Sequence, residues 1–106
     1  MLIDEKRAGH RALVARILEG EGRTSHAQRR AAFDDAVVGE PLQALIGKVA
    51  NEPTRITDAD ISLVEQSGLS EDEVFELVVC AAVGQATRQY ESALAALAEA
   101  GAGETE

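Results

Sequence analysis

Aromatic residues are scarce in this chain: two phenylalanines, one tyrosine and no tryptophan among 106 residues. An interior without large rings must be built from Ala, Val, Leu and Ile, whose small side chains let helices approach closely. A single cysteine, Cys80, excludes an internal disulfide and a multi-cysteine zinc site, and it fits a reducing compartment. No apolar run approaches the roughly 20 residues of a membrane span. No signal peptide is read at the start, so the expected compartment is the cytoplasm. Cations are also few, with ten Lys and Arg against nineteen Asp and Glu, for a net charge of -9.

That charge is unevenly spread. Residues 1–30 hold seven basic and four acidic side chains, whereas residues 31–106 hold three and fifteen. The acidic bulk repels phosphate backbones and anionic lipid. The arginines of the basic segment alternate with apolar residues as on an ordinary amphipathic helix, and no aromatic stacker lies among them. Neither nucleic acid nor membrane is an expected partner.

A chain of this length supports one core, so the expectation is a single helical domain over 1–100 and a disordered acidic tail over 101–106. Its fold class is all-α, a compact bundle of about five helices with a long C-terminal one. Apolar residues from Ala8 to Leu18 recur near helical spacing between Asp4 and Glu19, and Gly20 and Gly22 supply the stop. Thr24 or Ser25 can cap a second helix to about Ala36, with Ala27, Ala31, Ala32 and Phe33 on its buried side. Pro41 suits the first turn of a third, whose Leu42, Leu45, Ile46 and Val49 share one face before Asn51 to Pro53 ends it. Thr57 with Asp60 resembles a capping box for a short helix closed by Gly68. Ser70 with Glu73 is a fuller box, and it opens a helix running to about Ala100.

On that last helix Phe75, Val79, Val83, Ala86, Tyr90, Ala93 and Leu97 form a continuous stripe, assigned to the core with the Tyr90 hydroxyl at its rim. Val74, Leu77, Val78, Ala81 and Ala82 make the other flank of its first half apolar as well. A helix apolar on all sides is central or lies in an interface, so a homo-oligomer is expected.

Chemistry is sparse. His10 and His26 are isolated from one another and from Cys80, so no metal site is expected, and a Cys/His pair would require a histidine to fold onto Cys80. No glycine-rich phosphate loop is present and no cofactor is implied. One face of the last helix gathers Glu73, Glu76, Cys80, Gly84, Thr87 and Glu91, with Arg88 at its edge. Two readings stay open. In the functional one Glu76 serves as a base toward Cys80, one turn away, and Arg88 holds an anion. In the structural one Cys80 is a small buried residue beside Gly84 where another helix packs closely, with Glu76 and Arg88 paired or solvated.

The segment Ile56-Thr-Asp-Ala-Asp-Ile-Ser-Leu-Val-Glu-Gln-Ser-Gly-Leu-Ser-Glu-Asp-Glu-Val-Phe-Glu-Leu-Val, followed by an Ala/Val-rich helix, resembles the carboxymuconolactone decarboxylase and AhpD-like superfamily. The resemblance spans about residues 40–98 and rests on caps and packing more than on chemistry. It implies an all-α fold that assembles as dimers, trimers or hexamers. The peroxidase branch of that superfamily carries Glu, Cys-x-x-Cys and His on one helix. With Glu76 aligned on that glutamate, the cysteines fall on Arg88 and Glu91 and the histidine on Ala95. With residues 70–98 matched to the helix after the motif, the dithiol falls upstream, where there is no cysteine. Either alignment removes a dithiol relay, and the positions of the decarboxylase branch find no match here. The implied protein is therefore a divergent, non-redox member that binds a small ligand or acts as an accessory interaction module. The alternative is an acid/base or single-thiol enzyme, decarboxylase-like or peroxidase-related, using Glu76, Cys80 and Arg88.

Overall fold

The computed structural model describes residues 2–104, with side chains to residue 101. Among them are five α-helices and one 3-10 turn, and no strand: α1 (Leu2–Glu19), α2 (His26–Phe33), α3 (Leu42–Asn51), the turn Pro53–Arg55, α4 (Asp58–Gln66) and α5 (Glu71–Glu104). The fold is all-α with a long C-terminal helix, and no helix among the described residues is long and apolar enough to cross a membrane.

Local chemistry sets the helix starts. Ser25 and Gln28, and Thr57 and Asp60, each exchange side-chain and backbone bonds in a capping box, and Ser70 and Glu73 make the same reciprocal pair. The ends obey local rules less well. The second helix stops at Phe33, short of Ala36, because Asp35 turns into the left-handed region at φ 53°. Helix α5 runs through Gly101, Ala102 and Gly103 to Glu104, so the tail expected from residue 101 begins as helix; residues 105–106 lie outside the described ones. A glycine costs a helix about 1 kcal/mol, which does not stop propagation from a long, already formed helix. Gly68, by contrast, adopts φ 117° just past α4 and ends it there.

One apolar cluster joins all five helices: Leu18 of α1, Ala32 and Phe33 of α2, Leu45, Ile46 and Val49 of α3, Val64 of α4, and Val74, Leu77, Cys80 and Ala81 of α5. Lys48 of α3 meets Asp60 of α4 at 2.9 Å across the edge of this cluster.

The face of α5 that enters the core is not the one expected. Phe75 is 68% exposed and Leu97 65%, Ala86 and Ala93 are exposed, and Val79, Val83 and Tyr90 are only half-buried. The core uses the Val74, Leu77, Ala81 flank, together with the sector that carries Cys80, Gly84 and Thr87. Close approach explains the choice: a Cβ on Gly84 would overlap the Phe33 carbonyl, so the end of α2 rests directly on the α5 backbone. Ala82 is exposed and Val78 half-buried, so within one chain the first turns of α5 are not covered all round.

Helix α5 spans about 51 Å at 1.5 Å per residue and sets the 58 Å long dimension of the molecule. Helices α2, α3 and α4 contribute their core residues to its first half, and α1 lies beside it, with Ile17 near Val79 and Cys80, His10 at Thr87 and Arg7 near Leu94. The order of these contacts makes α1 antiparallel to α5. Of its 18 residues only Leu18 is buried.

Candidate functional site

Glu76 reaches across to the loop between α1 and α2. Its carboxylate accepts the Arg23 N–H at 2.8 and 3.0 Å, the Thr24 N–H at 2.9 Å and the Thr24 hydroxyl at 2.8 Å. Arg29, 4% exposed, lies with Nε 4.0 Å from Glu76 Oε1. The same guanidinium donates to Thr24 Oγ1 at 3.1 Å, to the Thr24 carbonyl at 2.9 Å, and to the Leu18 and Gly20 carbonyls at the end of α1. The Thr24 hydroxyl thus gives its one proton to Glu76 and accepts from Arg29. Gly22 leaves room beside them: a Cβ there would sit 2.7 Å from Arg29 Nη2 and 2.8 Å from Glu76 Oε1, and those two side-chain ends would have to shift. This clasp ties the loop and α2 to α5.

The clasp also sets the proton chemistry. The Arg23 N–H holds the Glu76 carboxyl below its ordinary range, with help from the Thr24 donors and the Arg29 charge against the cost of burial. A carboxylate so stabilised, with both oxygens occupied, is a poor general base. Cys80 is 1% exposed, and burial pushes its thiol above the ordinary value; the negative Glu76 adds to this and Arg29 opposes it. A shallow cleft of about 160 Å³ does open beside both residues, between Ile17 of α1 and Phe75 of α5.

Arg88 stands apart from this pair, about 12 Å further along α5 than Cys80. Its Nη1 donates to the Phe33 carbonyl at 2.6 Å and its Nη2 to Gln85 Oε1 at 3.0 Å, so it caps the end of α2 and does not face Glu76. The structure therefore brings Glu76 and Cys80 together and leaves Arg88 elsewhere. Cys80 is a packed thiol one turn from the glycine on which α2 rests.

Two residues of this region had no role in the expectation from sequence. Arg29 is the one charge in phase with Ala32 and Phe33 on the buried side of α2, a signal visible in the spacing. His10 is the other. Its Nε2 lies 2.9 Å from Thr87 Oγ1, which in turn lies 2.7 Å from the Val83 carbonyl. The His10 ring packs at 4.8 Å from that of Tyr90. Clefts of about 320 and 340 Å³ flank it, one toward Tyr90 and Leu94, the other toward Arg30 and Phe33.

Comparison of the chain with models of known families, with curated proteins and with solved structures finds no match.

Proposed function

We propose that this chain is a non-redox, homo-oligomeric protein of the carboxymuconolactone decarboxylase and AhpD-like kind, a cytoplasmic helical module that binds a small ligand or an accessory partner. One observation carries the proposal: the outward face of α5 is apolar from Phe75 to Leu97, and its Phe75, Ala82, Ala86, Ala93 and Leu97 are exposed within the chain, with Val79 and Tyr90 half-covered by α1. Such a face on an otherwise acidic molecule marks an interaction surface. The site chemistry supports the same view, since the Glu76 oxygens are fully occupied by donors and Cys80 is enclosed. Small-ligand binding is supported by the clefts on either side of His10, where apolar walls meet Arg7, Arg11 and Glu91.

Native mass tests the proposal. Light scattering at micromolar concentration is expected to give at least twice the chain mass of 11.2 kDa. A single-chain mass there removes the homo-oligomer.

A further inference from the structure

We infer that the outward face of α5 docks on the same face of a second copy in antiparallel fashion, about a two-fold axis passing at Ala86. This inference rests on the homo-oligomer proposed above and adds which surface pairs and in what register.

The stripe is self-complementary under reversal. Counting from Ala86, Ala82, exposed at the edge of the stripe, and Tyr90 stand four residues away, Val79 and Ala93 seven, and Phe75 and Leu97 eleven, while half-buried Val83 on the α1 side has Gln89 at the matching three. An antiparallel pairing centred on Ala86 therefore sets Ala82 against the partner's Tyr90, Val79 against the partner's Ala93 and Phe75 against the partner's Leu97. Large meets small near the axis, where close helices need it, and large meets large at the ends, where crossing helices splay. An isologous interface has this property, because each patch must fit its own copy. A parallel pairing would set Ala82, Ala86 and Ala93 each on its equal and leave a gap in the middle.

Charge permits the contact. Every charged side chain between Phe75 and Leu97, namely Glu76, Arg88 and Glu91, lies on the sectors turned toward the core or α1. Along the α5 stripe, two copies of net charge -9 can thus meet without facing like charges.

Area requires more than α5 alone. A stripe of about 33 by 10 Å on each copy buries roughly 700 Å² in total, short of the roughly 1,200 Å² of a stable specific interface. Helix α1 borders the stripe and adds to it. Its Arg11, Ala15 and Leu18 edge lines the cleft shared with Arg30 and Phe33 of α2, while Ile17 lines the cleft shared with Phe75 and Val79. Leu13, 48% exposed, and Leu2, 68% exposed, lie on the Ile17 side and so border the α5 stripe. An antiparallel two-fold keeps both α1 helices on one side of the seam, where these leucines flank the paired α5 helices.

Cysteine cross-linking in a Cys80→Ala background tests the register, alongside the native mass of each variant. Under mild oxidation Ala86→Cys is expected to link to itself, and a mixture of Phe75→Cys and Leu97→Cys to give the mixed dimer. Phe75→Cys alone is expected not to link, its two copies lying roughly 33 Å apart. Ala86→Glu is expected to weaken self-association at least tenfold with an unchanged circular dichroism spectrum, since Ala86 is exposed within the chain. Self-linking of Phe75→Cys at the mass of an oligomer means a parallel pairing and overturns the inference while the homo-oligomer stands. No link at any of these positions at that mass, or an Ala86→Glu variant that still associates, puts the interface elsewhere and has the same consequence. A single-chain mass at about 100 μM, a face then reserved for a different protein, overturns both.

Discussion

At the scale of single residues, Glu76 is the most informative position. It was legible as unusual because it shares a sector with Cys80, but its partners Arg23 and Thr24 lie more than fifty residues away in the chain. Spacing along one helix cannot disclose what docks on it, and so the fastening of the α1–α2 loop by Glu76 could not be read from its sector. Glu76→Ala is expected to cost about 2–3 kcal/mol in chemical denaturation, because it strips the acceptor from Thr24 and leaves Arg29 buried with fewer partners. The depressed carboxyl also fixes a pH dependence. Folding stability from Glu76 is present above the ordinary glutamate range of about 4.3 and is lost as pH falls through the lower folded value. Asp60, lowered chiefly by Lys48 and then by the Thr57 N–H, acts in the same direction. Unfolding midpoints are therefore expected to drop on acidification below about pH 4.3, and less steeply in Glu76→Gln than in the native chain. Cys80 gives a separate expectation. Its buried, protonated thiol should react with iodoacetamide at neutral pH at least tenfold more slowly than in the unfolded chain, whereas equal rates would support the single-thiol enzyme.

At the scale of elements, the sequence was most readable where the chemistry is local. Each of the three capping pairs, Ser25 with Gln28, Thr57 with Asp60 and Ser70 with Glu73, is confined to four residues and works regardless of what packs nearby. Only the first of them was unresolved in the sequence, where Thr24 competed with Ser25; Thr24 instead serves the Glu76 clasp. Helix ends depended on more distant contacts, as where α2 stops against the α5 backbone. Gly84 carries that contact. Gly84→Ala is expected to lower stability by more than about 2 kcal/mol in spite of alanine's better helix propensity, since the overlap falls on backbone rather than on a movable side chain. A Gly84→Ala protein of raised melting temperature would mean that α2 does not rest there. Ser70→Ala, by comparison, is expected to cost about 1 kcal/mol, the ordinary value of a helix cap.

At the scale of the whole molecule, periodicity established that α5 has two apolar flanks and left open which one the chain would cover. The stripe with the larger side chains faces outward, because the inner flank offers Ala81 and Gly84, on which neighbouring helices can rest closely. That choice leaves Phe75 and Leu97 in water and Leu18 the one fully buried residue of α1, features that make sense together if a second copy covers both helices. Sedimentation equilibrium of the native chain beside Phe75→Glu tests this most directly. A native dimer or larger species is expected at micromolar concentration, with at least a tenfold weaker association in the variant at unchanged helical content. Equal masses for the two proteins, or a native chain that sediments alone, would contradict it.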